Sequence, residues 1–427
     1  MISDVLLDLV APLADPRRAL PPEVETRARW LVLDTLGCAI AGGRSPTVRA
    51  WLDRHHLSPD PFATGPRPAD LGSAMALTMG ACWDEACEGH AGAHGRPGIA
   101  ALGAIWPSVL DMNLGEFLRA TVLGYEVGAR MGAALRIAPG MHVDANWPSL
   151  GGAAAAACAS GLDPERILTA VGIAACQLPM SLYRPVSTGD TARNTYLGHA
   201  ALLGRMAAQS SSVGITAPSD AVESYARVAY GRTDPMVPDG MSGFAILSGY
   251  FKEYAAVRHA HYAARAALEL RGDVPLPDVA TIEVWTYPEA LTYCAIRDPR
   301  TPLQAQFSLS FAVAAMLRWG RLDPTVYRSP AFDDPLLRSL ERAVVLHDEP
   351  GWAGRRAARL RLVGGDGRAI ETSISEVRGD ASMPWSAATL TDKFLTYCTG
   401  TLSPPRATAL ADHLLRAPLS DNVFPPR

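Results

Sequence analysis

Between Trp83 and Gly98 the chain reads WDEACEGHAGAHGRPG, which crowds Asp84, Glu85 and Glu88 beside His90 and His94. Carboxylates and imidazoles are costly to bury unless they are paired or hydrogen-bonded, so their concentration between two apolar stretches points to chemistry. Histidine titrates nearest neutral pH, which suits proton transfer. Asp84 and Glu88 are four residues apart, as are His90 and His94, a spacing that places metal ligands on one helical face. Gly89, Gly92 and Gly95 break the helix such a set requires, so no metal is expected. Three further polar groups fall on connecting segments. His142 precedes Asp144 and Asn146. Arg184, Asp190 and Arg193 lie together before Tyr196. Lys252, Arg258, His259 and His261 form a basic cluster that fits an anionic substrate.

The segments that must position these groups are helical through the first half of the chain. Apolar residues at helical spacing predict helices over 3–13, 23–40, 45–56, 71–82, 115–137, 165–176 and 196–210. Ser45 is placed as a cap and Pro22 and Pro46 as first-turn residues, and Asp163 or Pro164 begins the helix over 165–176. A proline-rich loop is expected to run to Pro68. The small-residue run Gly151 to Ser160 predicts a helix that neighbouring backbones approach closely. Residues 177–195 read as a long polar connection. Near Arg271 the pattern changes. Val279 to Tyr287 alternates and is β-branched, as a strand does. A helix over 305–319 and another over 335–342 follow, then two strands flanking Gly364-Gly365-Asp366-Gly367 as a hairpin. The tail returns to helices at 389–397 and 404–415. The expected fold is mostly α: a large helical domain (1–257 with 384–427) plus a smaller inserted α+β lid (258–383).

The chain has 427 residues, a length that favours two domains. Forty-eight per cent hydrophobic and 19% charged residues describe a well-buried globular protein, and a net charge of −4 without a basic run excludes a nucleic-acid binder. The seven cysteines are scattered without a CxxC pair, so neither a disulfide framework nor a zinc site is expected. No signal-peptide pattern is visible and the longest small apolar run is too short to span a bilayer. A soluble cytoplasmic protein without a membrane partner is the expectation. No Walker loop, dinucleotide fingerprint or GxSxG elbow is present, so a cofactor-free acid/base enzyme remains.

Several stretches together resemble the MmgE/PrpD family. They are Leu33-Asp34-Thr35-Leu36-Gly37-Cys38 with Ala41-Gly42, Leu123-Gly124-Tyr125-Glu126-Val127 with Arg130, and His142 followed by Gly151-Gly152 and an alanine run. Gly198 with Ala200-Ala201 and Gly204, Lys252-Glu253-Tyr254 with His261, Gln306-Phe307-Ser308, and Asp392-Lys393-Phe394 complete the set. The resemblance spans nearly the whole chain. It implies a helical domain built from both chain ends with an α+β lid inserted, an active site between them, no metal, a homodimer, and action on small polycarboxylates. The family's acid-loop aspartate falls on Asp84, its loop histidine on His94, its second histidine on His142 and its lid-side lysine on Lys252.

Departures from the family pattern set the substrate apart. The acid loop reads Trp83, Asp84, Glu85, Ala86, Cys87 where a histidine and paired aspartates are usual. Glu88 replaces a small polar residue, and Arg193 stands for a lysine. Glu88 is expected to repel a carboxylate placed there; Arg193 keeps the charge but donates no proton. The expected reaction is proton transfer at a carbon next to a carboxylate or carbonyl, of dehydratase, decarboxylase or isomerase type, on a small anion other than the usual tricarboxylate. His94 and His142 are the expected base and acid, Asp84 orients one of them, and Lys252, Arg193 and Arg258 stabilise the enolate. Glu88, His90 and His261 join the binding set. The rival expectation is a catalytically silent member that only binds a ligand or a partner chain.

Overall fold

The computed structural model describes residues 2–61, 71–232, 243–273, 275–380 and 382–424. Among the described residues the chain is mostly helical, with one small sheet. Most of the loop expected to run to Pro68 lies outside the described residues.

The helical part begins with α1 (Ile2–Ala14), α2 (Pro22–Gly42) and α3 (Pro46–Arg54). Pro22 and Pro46 open their helices as expected. Ser45 sits at the N-cap position of α3 with no cap bond from its side chain. Next come α4 (Leu71–Trp83), α5 (Pro97–Ile105) and α6 (Leu114–Leu135), whose start is closed by the reciprocal bonds of Asn113 and Glu116. The alanine-rich α7 (Pro148–Ala159) lies at the centre, against α5, α6, α8 (Pro164–Ala175) and α10 (Tyr196–Ser212). Its small residues are what permits this. A Cβ added to Gly124 of α6 would stand 2.7 Å from the Gly151 oxygen, and one on Gly151 2.6 Å from the Gly124 oxygen. The two backbones therefore touch.

The polar connection over 177–195 is not all loop. It contains α9 (Arg184–Thr188) and a 3₁₀ turn, Thr191–Thr195, which together carry Arg193 inward. Helix α11 (Ala221–Tyr230) was not anticipated, nor was α12 (His261–Glu269), although Tyr262, Ala263, Ala266 and Ala267 have helical spacing and are buried.

The sheet has the order β2-β1-β3-β4, with β1 Val279–Thr286, β2 Val344–Asp348, β3 Ala358–Gly364 and β4 Ala369–Ile374. β3 and β4 form the expected antiparallel hairpin. β2, which the sequence reading passed over, runs parallel to β1 from Ile282↔Val344 onward. Ile282, Val284, Leu360 and Leu362 fill the covered face, against α12, α15 (Leu309–Trp319) and α16 (Pro335–Ala343). Between β1 and α15 come two short helices, α13 (Pro288–Cys294) and α14 (Pro302–Gln306). The single helix expected over 305–319 is thus broken. Ser308 accepts from the Phe311 N–H and starts α15 afresh, leaving Phe307 between the two pieces.

The tail helices α17 (Ala387–Cys398) and α18 (Pro404–Arg416) pack back on α2. Gly37 of α2 lies under Phe394. Lys393 is buried and donates to Asp34 Oδ1 (2.6 Å), Ala86 O (2.7 Å) and Lys252 O (3.0 Å). Among the described residues two large apolar cores result, with smaller clusters around Val48 and around Val186. Of the two large cores, one lies within the helices, and the other runs from the sheet face through Tyr254 and Ala255 to Cys38, Cys82 and Leu197.

Candidate active site

The acid loop joins α4 to α5 and is pinned at two points. Gly89 and Tyr250 exchange backbone bonds (3.0 and 2.7 Å), and His90 pairs with Gly95. Glu85 and His94 both take left-handed backbone conformations, with φ of 54° and 56°. Such conformations cost about 1–3 kcal/mol for a side-chain-bearing residue and persist where the surroundings enforce them.

A cavity of about 400 Å³ opens beside this loop. Its floor is an ion cluster. The Glu85 carboxylate accepts from Lys252 Nζ (2.6 Å), from Arg96 Nη1 (3.2 Å) and from Arg193 in a close ion pair. Arg96 also pairs closely with Asp144. Arg193 is only 1% exposed. Burial alone would raise the Glu85 pKa, but Arg193, Arg96 and Lys252 outweigh it and hold the carboxyl well below its ordinary value. Three cations against two carboxylates leave one net positive charge in the floor.

His142 stands over that floor. Its loop is tied down by Ser181, which accepts the His142 N–H (2.8 Å) and donates its hydroxyl to the His142 carbonyl (2.5 Å). The ring stacks on Tyr183 at 5.9 Å and meets Tyr196 edge-on. The Asp144 N–H donates to Nδ1 (3.2 Å), so the neutral ring carries its proton on Nε2. Burial brings the His142 pKa down to about 4. His94, at the rim, has Nε2 capped by the Arg136 guanidinium. Arginine can only donate, so Nε2 is the lone-pair nitrogen and Nδ1 carries the proton. Burial and then Arg136 and Arg356 lower its pKa to about 4.

The remaining expected site residues divide. Lys252, Arg193, Arg258 and His90 line the cavity with His94 and His142. Arg258 pairs with Asp380 (2.5 Å) and lies over the Tyr250 ring (4.6 Å). His90 is a wall residue whose Nδ1 accepts the Ala93 N–H (3.0 Å), and burial lowers its pKa to about 4.

Asp84, Glu88 and His261 are not at the surface of the cavity. Asp84 does not orient His94. Both its oxygens accept from Arg328 Nη2 (3.1 and 3.0 Å), because the left-handed turn at Glu85 sends the two neighbouring acids in different directions. Glu88 does not face a ligand carboxylate. It accepts the Gly98 N–H (2.8 Å), one of the unpaired donors at the start of α5, and burial raises its pKa to about 8. His261 lies behind Arg258, with Nδ1 3.2 Å from Nη1 of that arginine and Nε2 3.2 Å from the Ala256 oxygen. It supports Arg258 instead of touching a ligand.

Residues that the sequence reading left out of the site complete the lining. Arg96, Arg136 and Arg356 add positive charge, Glu289 adds a carboxylate that acts on Arg356, and Tyr183, Tyr293 and Phe307 add flat apolar surface. His259 also faces the cavity, with Nδ1 2.6 Å from the Tyr287 hydroxyl. It was noted in the basic cluster but not placed in the site. Arg96 directly precedes Pro97, and Arg136 directly follows α6. Nothing in their immediate sequence marks them as site residues. Among the described residues no group of three or more His, Cys, Asp or Glu is placed to hold a metal ion.

Comparison with known families gives two matches in chain order. The MmgE/PrpD N-terminal domain matches residues 16–233 and the MmgE/PrpD C-terminal domain residues 254–416. The chain belongs to the MmgE/PrpD family, and that membership supports an enzyme of the dehydratase type in general. No curated protein matches the chain. Among the described residues, no helix is long and apolar enough to cross a membrane.

Proposed function

We propose that this protein is an acid/base enzyme that removes and returns a proton at a carbon next to a carboxylate or carbonyl of a small anion. The observation that carries this reading is the meeting, in one cavity, of two neutral imidazoles of opposite tautomer with a ring of cations.

His94 is the base. Its lone pair at Nε2 is capped by Arg136, and an anionic ligand draws the guanidinium away, exposing the lone pair and removing a charge that holds its pKa down. The proton passes from the substrate carbon to His94 Nε2, and the bonding pair moves onto the adjacent oxygen as an enolate. His142 offers Nε2–H to that oxygen. A neutral imidazole is the right donor here, since it polarises the oxygen without giving its proton up. Lys252 spends two N–H groups on Glu85, at Oε1 (2.6 Å) and at the backbone oxygen (3.0 Å), which leaves its third for the same enolate. Reprotonation at carbon gives isomerisation; departure of a β-substituent gives elimination. No metal is assigned a step, because Asp84, Glu85 and Asp144 are each engaged by arginine or lysine.

Cavity residues come from both sides of position 257, so we place the site between a helical domain (1–257 with 384–427) and a lid (258–383). The test is exchange of substrate hydrogen with deuterated water, screened over small carboxylic and keto acids. Exchange that vanishes in His94→Asn supports the reading. A panel in which no acid exchanges while several bind would favour the silent, ligand-binding alternative.

A further inference from the structure

The floor cluster has a feature that the proton-transfer reading does not use. Lys252, Arg96 and Arg193 converge on one point at the end of a cavity, which is how proteins hold a ligand carboxylate. That point is already taken. The side chain there is the chain's own Glu85, buried, with both oxygens in hydrogen bonds to these cations. The backbone reaches it only through a left-handed turn at Glu85 itself. A second observation concerns the mouth. Arg258 is neutralised by Asp380, but Arg136 and Arg356, which also line the cavity, have no ion pair among the described residues. Arg136 closes α6 in a left-handed conformation and, among the described residues, bonds only to His94. The walls carry the flat apolar faces of Trp147, Tyr183, Tyr293 and Phe307, interrupted by His90, His259 and Glu289.

We propose that Glu85 is a built-in substitute for a substrate carboxylate, so that the cavity selects a ligand with a single anionic group, bound by Arg136 and Arg356, and an apolar or aromatic body. This rests on the cavity being the substrate site, and it makes Glu85 a specificity-determining residue. A polycarboxylate would have to displace a carboxylate already tethered at the site, where its local concentration is very high. A ligand with one anionic end meets no such competitor.

The test has two arms, and neither needs turnover. In the first, Glu85→Ala is melted in formate and in chloride at equal ionic strength. The vacated site should take up formate, so formate raises the melting temperature saturably, while chloride does not; wild type should show no such effect. Glu85→Gln keeps the volume filled and should gain nothing from formate. Equal responses to formate and chloride in Glu85→Ala would overturn the proposal. In the second arm, used also if Glu85→Ala fails to fold, calorimetry compares benzoate with citrate on the wild-type protein. Benzoate should bind at least about tenfold more tightly than citrate, and Arg136→Met and Arg356→Met should each weaken it about tenfold, the worth of one charged hydrogen bond. Citrate binding as tightly as benzoate overturns the proposal. Deuterium exchange on a tricarboxylate, with benzoate ignored, would sink this inference and leave the proton chemistry standing. Benzoate preference with no exchange on any acid would do the reverse.

Discussion

His94 holds a backbone conformation that asparagine tolerates well, which makes His94→Asn a clean probe: the loop keeps its path while the base is lost. Its kcat should fall at least about a hundredfold, the usual cost of removing a general base. Asp84→Asn should behave differently. It weakens a partly exposed pair with Arg328, so it should lower stability by about 1–2 kcal/mol in denaturant titration and leave the exchange rate close to wild type. A hundredfold loss of exchange in Asp84→Asn would return that residue to the chemistry. The imidazole pKa values also fix a pH profile. His94 and His142 of the free enzyme protonate near 4, so kcat/KM should hold level from neutrality down through pH 6.5 and fall only as pH approaches about 4. A limb at 6.5 would mean that the imidazole doing the chemistry keeps its ordinary pKa and is not held neutral by its surroundings. At this scale the sequence was partly legible. His94, His142 and Lys252 stand out by type and setting. The role of Glu85 does not, because its partners lie 11, 108 and 167 positions away and only the fold brings them to one carboxylate.

Helix packing yields a second set of expectations. Gly151→Val would push a branched side chain into the backbone of α6 and should destabilise the protein by about 1–3 kcal/mol or prevent folding, as overpacking does. Lys393→Met removes the cation that holds α17 to Asp34, Ala86 and Lys252. A buried carboxylate left alone costs about 3–5 kcal/mol, so the melting temperature should drop sharply and activity should fall with it, since two of the three contacts reach the site. An unchanged melting curve would show that α17 docks by apolar contact alone. Helices with strong apolar periodicity, such as α6 and α8, were readable to within a few residues. The break at Phe307-Ser308 was not, because apolar spacing continues through it and only the cap bond marks the restart. β2 was missed for another reason. Its pattern is short, and its partner strand lies some sixty residues earlier.

Across the whole molecule, buried titratable groups pull stability in opposite directions. His90 and His142 have pKa values lowered to about 4, so below pH 6.5 the unfolded chain takes up protons that the folded one refuses, and stability is lost as pH falls toward 4. Glu88 has its pKa raised to about 8, so the folded chain keeps a proton that the unfolded chain releases above 4.5, and stability is lost as pH rises toward 8. Glu88→Gln keeps an acceptor for the Gly98 N–H and removes the second effect. Its melting temperature should exceed wild type more at pH 9 than at pH 5; an equal shift at both would mean that Glu88 is already ionised at neutrality. The homodimer that the family resemblance implies is a further expectation at this scale. Met206, Val213, Ile215 and Val228 are exposed along α10, α11 and the segment between them, and would be covered by a second copy. Sedimentation equilibrium of wild type against Val213→Asp with Val228→Asp checks it, and a monomer in both would refute it.

The docking of α17 onto α2 has a consequence for how the protein is made. Asp34 and Lys393 are 359 positions apart. At about 5–20 residues per second a ribosome needs about 20–70 s to cover that distance. For that interval α2 is out of the tunnel while the groove around Gly37 is bare and the Asp34 carboxylate has no counter-ion. The amino-terminal helices therefore cannot reach their final state while they are being synthesised, however early they coil. Nascent chains stalled before residue 387 should be sensitive to protease along α2 and should be held by chaperones that bind apolar segments, and extension past Phe394 should release both together.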